Sequence, residues 1–219
     1  DTIALPNGVT TIGANAFDGT AITEITLPNS VTTLDVNAFK GMILETITFG
    51  DGITEIPASM FAGMTTVKNV TLGANTTVIG EGAFAGTSIS NIVFPNSVKE
   101  IKDYAFANTK LTEVVLGNGT QSLSTIAFAG CEIKKFEFNG DNFIVPEAMF
   151  VDNTVLEEVV FGNGIVEIGE DAFYECTKLK TVVFGNNIKR IDSYAFYGCT
   201  ALTEIALPDS LQQIGAYAF

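Results

Sequence analysis

The sequence contains no histidine and no tryptophan among its 219 residues. Without histidine, Ser-His-Asp and Cys-His nucleophile arrangements cannot be built, and ordinary zinc and non-haem iron sites lose their commonest ligand. Three cysteines in a chain of this length do not make a disulfide scaffold. No run approaches the roughly 18 apolar residues that span a bilayer. No basic, apolar, small-residue leader opens the chain, so a signal peptide is read as absent or already removed. Only 11 Lys and Arg face 25 Asp and Glu, a net charge of −14. Nucleic acid and anionic membrane surfaces are therefore poor partners, because phosphate binding needs clustered cations. Low basic content fits a secreted or surface-exposed protein. What is abundant is apolar residue, 47% of the chain, enough to bury a long core.

That apolar content is periodic. Phe stands at 17, 39, 61, 84, 106, 128, 150, 173, 196 and 219, always 22 or 23 residues apart. Ala precedes it in eight cases, and Met60 and Met149 in the others. A fixed period of this size is the mark of a solenoid, whose coils bury their apolar faces on one another. Further columns follow from aligning on the Phe. Five residues before it come Ile12, Leu34, Ile56, Ile79, Ile101, Leu123, Val145, Ile168, Ile191 and Ile214. After it runs an L-x-x-I-x-L segment, as in Leu44, Ile47 and Phe49, or Leu111, Val114 and Leu116. Its period-two end predicts a short strand, and the Pro, Gly, Asn, Asp and Ser that follow predict a turn. The I-G-x-x-A-F segment is too short for a normal helix and predicts a tight turn or a single 3₁₀ turn. A second short strand is expected to begin at Val9, Val31, Ile53, Val98, Ile165 and Ile188. The extra residue of the 23-residue coils falls between the Phe and the next Leu, where a loop absorbs it.

This pattern resembles the BspA-like family of leucine-rich repeats, whose unit reads approximately L-x-x-I-x-I-P-x-x-V-x-x-I-G-x-x-A-F-x-x-C-x-x-L. Residues 202–219, "LTEIALPDSLQQIGAYAF", match it almost position for position, and residues 191–208 supply the A-F-x-x-C part. The resemblance implies a repeat solenoid of about ten 22–23-residue repeats, a leucine-rich-repeat right-handed superhelix. Its parallel β-sheet would lie on the concave face, with turns or short 3₁₀ segments on the convex face. It also implies a single domain, residues 1–219. The chain starts and stops in mid-repeat without a polar capping coil, so it reads as a fragment of a longer protein whose uncapped ends fray or self-associate. The family occurs in bacterial and protozoan surface proteins, some linked to adhesion to host proteins. An extracellular or cell-surface location is implied, with a host surface or matrix protein as ligand.

Residues between the core positions of each strand should face outward. One column holds Ala4, Thr26, Thr48, Thr71, Val93, Val115, Glu137, Val160, Val183 and Ala206. Its change from Thr to Val along the chain makes Val93, Val115, Val160 and Val183, flanking Glu137, a candidate protein-binding stripe. The plainer reading is that β-branched residues suit strands. Glu113, Lys135 and Glu158 stand on three successive coils and predict a cross-strand charge ladder. Catalysis by such a pair is disfavoured, because an open sheet face cannot desolvate a carboxylate. Residues 136–177 hold ten acidic residues and no Lys or Arg, a surface for a basic partner or calcium, although no D-x-D-x-D-G spacing is present. Cys131, Cys176 and Cys199 each follow a repeat Phe by three residues. Adjacent coils would bring Cys176 and Cys199 within disulfide range, but side by side, so they read as small apolar core residues.

Tyr174, Tyr194, Tyr197 and Tyr217 form a candidate convex aromatic patch for glycan or protein, or else simply cover the outer wall. "NGDNFIVPEAMF", residues 139–150, breaks register, predicting either a local bulge or an exposed apolar spot. Asn69, Asn75 and Asn118 begin N-x-T sequons. Neither a cofactor nor a metal is called for. The leading expectation is a non-enzymatic recognition or adhesion module acting through the concave sheet. The alternative is a structural spacer that holds another domain away from the cell surface.

Overall fold

The computed structural model describes residues 1–219, and it contains strands and turns but no helix. Each coil has three short sides. The first is a strand of three or four residues, the second a strand of two to four, and the third the Ala-Phe turn.

First-side strands follow from the L-x-x-I-x-L alternation. Thr2–Ala4, Glu24–Thr26, Thr46–Thr48 and Asn69–Thr71 pair in parallel, in register, as one four-stranded sheet. Glu113–Val115, Lys135–Phe138, Glu158–Phe161 and Thr181–Val183 form another. The expected column of strands is interrupted: residues 91–93 and 204–206, carrying Val93 and Ala206, belong to no strand.

Second-side strands start later than the sequence pattern predicts. Thr11–Ile12, Thr33–Leu34, Glu55–Ile56, Glu100–Ile101 and Arg190–Ile191 begin two residues beyond Val9, Val31, Ile53, Val98 and Ile188. The cause is turn chemistry. The Val9 amide donates to Pro6 O at 3.1 Å, Val31 to Pro28 O at 3.0 Å and Ile53 to Gly50 O at 3.2 Å. These residues close the preceding β-turn and are not yet extended. Only Ile165–Ile168 begins where expected.

The third side is turn, without 3₁₀ segments. Asn15, Ser59, Tyr104, Asp171 and Tyr194, two residues before the Phe, have φ of 55–57°. Two residues after it, Gly19, Gly41, Gly63, Gly86, Gly130 and Gly198 have φ of 70–82°. Positive φ at the third residue of a four-residue turn marks type II geometry, which favours Gly. Successive turns also bond to each other: Phe61 N donates to Ala83 O at 2.8 Å, Gly63 N to Ala85 O at 2.7 Å, and Phe173 N to Ala195 O at 2.8 Å. The extra residue of the 23-residue coils sits where expected. An added turn there is closed by Val67 N to Met64 O, Leu179 N to Cys176 O and Leu202 N to Cys199 O, each at 3.0 Å. In the remaining long coil, Asn153 Oδ1 accepts from the amides of Val155 and Leu156.

The coils fall into two compact units, residues 1–111 with 126–131, and residues 112–125 with 132–219. Each has a spine of stacked phenylalanines. In the first, Phe17, Phe39, Phe61, Phe84, Phe106 and Phe128 lie 5.3–5.9 Å apart, ring to ring. In the second, Phe150, Phe173, Phe196 and Phe219 lie 5.1–5.6 Å apart. A further stack of Phe138, Phe161 and Phe184 meets the second spine edge to face.

The register break at 139–150 resolves as both a bulge and an exposed residue. Phe143 pairs with Ile165, but Ile144 pairs with Glu167 and Val145 with Ile168, so the register slips locally and Val166 is left over. Phe143 is buried, Asn142 takes φ of 52°, and Ile144 is turned out, 51% exposed.

Two substitutions test these features. Phe84 is fully buried with a stacked ring on each side, so Phe84→Ala is expected to cost about 3–5 kcal/mol in chemical denaturation. A Cβ on Gly63 meets nothing within 4 Å, yet its φ is +73°. Gly63→Ala is therefore expected to cost about 1–2 kcal/mol through backbone conformation alone, and Gly63→Asn less.

Candidate recognition surface

Alternation along the first-side strands puts every second residue outward. None of the ten residues in the predicted outward column is buried, nor are Glu113, Lys135 and Glu158. Val93 is 76% exposed, Val115 and Val183 are exposed, and Val160 and Glu137 are half-buried. In the second unit, Val115, Glu137, Val160 and Val183 are register partners on adjacent strands and make one row.

The neighbouring row carries the charge ladder. Glu113, Lys135 and Glu158 are register partners. Lys135 Nζ lies 3.1 Å from Glu158 Oε1 and 3.9 Å from Glu113 Oε1. The Glu158 carboxylate holds the Lys135 ammonium above its usual pKa. Such exposed pairs contribute little stability each. They fix a charge pattern of minus, plus, minus beside the valines.

The acidic block is partly neutralised from outside its own sequence span. Glu157 bonds Lys180 at 2.9 Å, Glu158 meets Lys135 and Glu167 meets Arg190. The bond from Lys180 holds Glu157 below the usual carboxylate range. Arg190 also reaches Asp192 at 3.1 Å. No three Asp, Glu or Cys side chains converge closely enough to hold a metal ion.

All three cysteines are free thiols. Each donates to the carbonyl of the Phe one coil back: Cys131 to Phe106 O and Cys176 to Phe150 O at 3.1 Å, Cys199 to Phe173 O at 3.2 Å. The Cys176 and Cys199 thiols, on adjacent coils, thus lie side by side and inward. Burial pushes Cys131 and Cys176 up, and Cys199 up to about 11. Thiols of this kind are poor nucleophiles.

The four tyrosines do cluster. Tyr174 stacks on Tyr197 at 5.2 Å and Tyr194 on Tyr217 at 5.3 Å, with Tyr194 edge-on to Tyr197 at 5.8 Å. The stacked faces are spent on one another. Tyr217 is 68% exposed, whereas Tyr174 and Tyr194 are half-buried. Burial raises the Tyr174 phenol pKa. Two of the sequon asparagines have engaged amides: Asn69 Nδ2 donates to Thr46 Oγ1 at 3.2 Å, and Asn75 Nδ2 to Asp51 O at 3.1 Å.

One cleft was not foreseen. Between Lys68–Leu72 and Ser90–Pro95, in the first unit, is an open cavity of about 380 Å³, and Val93 stands on its rim. A second, of about 260 Å³, lies among Phe196, Gly198–Thr200, Leu202–Ile205 and Phe219. Phe219 is exposed there, and Leu207 and Ile214 of the last coil are exposed too, although their counterparts Phe196, Leu27 and Ile191 are buried. No helix is long and apolar enough to cross a membrane.

The periodic columns match the BspA type leucine rich repeat region in six copies, over residues 1–112, 77–197 and 166–219. The chain belongs to the BspA-type leucine-rich-repeat family. Solved structures of similar chains include a leucine-rich repeat protein from Bacteroides ovatus, with 24% identity over 96% of this chain and 79% of that one, at a TM-score of 0.48. The pneumococcal vaccine antigen PcpA has 22% identity over 94% of this chain and 64% of its own, at 0.45. A leucine-rich cell surface protein from Faecalibacterium prausnitzii has 20% identity over the whole of this chain and 78% of its own, also at 0.45. A comparison with curated proteins found no match. The Cys column also holds Thr20, Met42, Met64, Thr87, Thr109 and Asn153; Met42, Thr87 and Thr109 are buried, and Thr20 and Thr87 donate to the carbonyl of their own coil's Phe.

The buried thiols generate a pH prediction. Unfolded thiols ionise from about pH 8.5, and the folded ones only at higher pH. Their contribution is fully present below about pH 8.5 and is lost as pH rises toward about 11 for Cys199. The drop in Tm between pH 8 and pH 10.5 should therefore be smaller, by about 3 °C or more, in a Cys131→Ala/Cys176→Ala/Cys199→Ala variant than in the parent. In the native parent, Cys176 and Cys199 should react with a thiol reagent only after denaturant is added.

Proposed function

We propose that this chain is a non-enzymatic protein-recognition module of a secreted or cell-surface protein, and that it binds through the outward rows of its first-side strands. The observation that carries this reading is the row Val115, Glu137, Val160 and Val183 beside the ladder Glu113, Lys135 and Glu158. Apolar side chains and a fixed charge alternation are held there on one rigid sheet. Such a surface has area and pattern but no enclosed group with a shifted acid or base, which general acid–base chemistry needs. BspA-type membership and the cell-surface protein among its structural neighbours support the location. An adhesion role, with a host surface or matrix protein as ligand, is the specific form of the proposal. The tyrosine cluster is a weaker candidate, since its ring faces are already stacked on each other.

The test is a pull-down from extracellular-matrix and epithelial-surface extracts. The parent is compared with a Val115→Glu/Val160→Glu/Val183→Glu variant, with circular dichroism confirming that both fold. A partner held by the parent and lost at least tenfold by the variant is the expected result. Equal capture moves the site off these rows, and Tyr197→Ala/Tyr217→Ala is then the informative variant. Capture by neither favours the alternative, a spacer.

A further inference from the structure

In a stacked parallel sheet, each strand's backbone is bonded on both sides. The strand Thr46–Thr48 shows the pattern: Leu27 N donates to Thr48 O on one side, and Phe49 N to Thr71 O on the other, both at 2.9 Å. Asn69–Thr71 follows this on the side of the preceding coil, where Asn69 N donates to Glu45 O at 3.1 Å and the strand pairs in register with Thr46–Thr48. On its other side the pattern stops. Lys68 O, Val70 N, Val70 O and Leu72 N have no partner in the protein, and neither do the backbone groups of Asn91 and Val93 that stand opposite.

This is a local opening between coils that otherwise meet. Just before it, Ser88 N donates to Val67 O at 2.9 Å; just after it, Ser97 Oγ donates to Thr76 O at 2.7 Å and Lys99 N to Thr77 O at 2.8 Å. The opening is the 380 Å³ cleft lined by Lys68–Leu72, Ser90–Val93 and Pro95. Its floor is apolar and sequestered: Val70, Leu72 and Ile92 are all buried. Its mouth carries Asn69, Thr71, Asn91 and Val93, all exposed. Unpaired backbone donors and acceptors beside buried apolar side chains are unfavourable unless something satisfies them. Alternating N–H and C=O groups on a strand edge are complementary to one kind of ligand, another extended backbone.

We propose that this cleft is a strand-addition site, which takes an extended polypeptide segment about three residues long along the open edge of Asn69–Thr71. The segment's backbone bonds Lys68 O, Val70 N, Val70 O and Leu72 N. Its inward side chains rest on Val70, Leu72 and Ile92, and Val93 contacts it from the rim. The proposal rests on reading the strand face as the recognition surface, and it names the mode of binding at one end of that face. Selectivity then comes from the alternate side chains of the guest, while affinity comes from its main chain.

The test uses amide hydrogen exchange on the folded chain. In the free protein, Val70 and Leu72 amides are expected to exchange at least 100-fold faster than the bonded amides of Leu27 and Phe49. Equal protection would mean that the sheet closes in solution, and would overturn the proposal. The probe is the capped heptapeptide LTEVVLG, the sequence of residues 111–117. At millimolar concentration it should slow exchange at Val70 and Leu72 at least tenfold and leave Leu27 unchanged; no change at either amide overturns the proposal. Methylating the peptide's alternate backbone nitrogens that face Asn69–Thr71 should weaken binding at least tenfold, and methylating the other set should not. Equal effects of the two sets would also sink it. The protein is unaltered in these measurements, so misfolding cannot mimic failure. The Val115→Glu/Val160→Glu/Val183→Glu variant leaves the cleft intact and should still protect Val70 and Leu72. Loss of partner capture by that variant with no peptide effect refutes strand addition alone.

Discussion

The structure depends on one repeated contact: a phenylalanine ring laid over the ring of the coil before it at 5.1–5.9 Å. A ring that is buried on all sides must find its neighbour at stacking distance, so each coil must rise by one ring spacing and return to the same point. Strand pairing needs a rise of about 4.8 Å, close enough that ring stacks and sheet ladders coexist with modest tilts. The Ala before eight of the ten Phe belongs to the same constraint. Its carbonyl accepts from the preceding coil's Phe amide, as Ala83 does from Phe61 and Ala195 from Phe173, and its small side chain lets the two turns approach.

Departures from the period are absorbed where they do not disturb that contact. Added residues form an extra turn after the Phe, and the core column resumes at Val67, Leu179 and Leu156, all fully buried. The register slip at Phe143 is absorbed by a bulge at Val166, with Phe143 turned in and Ile144 turned out. Both solutions cost surface regularity and preserve the stack. Polar side chains serve the same end. The thiols of Cys131, Cys176 and Cys199 bond backwards to Phe carbonyls, and Asp51 Oδ1 accepts from the amide of Ala74.

With the interior committed to stacking, recognition is left to the outward rows. Their charges pair mostly from coil to coil, 22 or 23 residues apart, as Lys68 does with Glu45 and Lys180 with Glu157. Pairing along the array ties neighbouring coils and leaves broad potentials weaker than the net charge of −14 suggests. The second unit thus offers an apolar row edged with alternating charge. The first offers threonines, and then an opening in the sheet.

Outside residues 139–150 and the last coil, the sequence by itself determined the columns: which residue faces in, which faces out, where an extra residue goes, and that Glu113, Lys135 and Glu158 would align. Those follow from side-chain alternation and period, which are properties of the string. The second strands begin later than Val9 and Val31 because a Pro-Asn turn claims those amides first, a competition settled by backbone closure. That Tyr174 and Tyr197 would stack on each other, and that Glu167 would meet Arg190, depended on rotamers and on neighbours one coil away. The opening beside Asn69–Thr71 was invisible in the sequence, because "SNIVFP" keeps every apolar column intact. Hydrogen bonding between coils depends on their separation, and only the tertiary structure decided that separation.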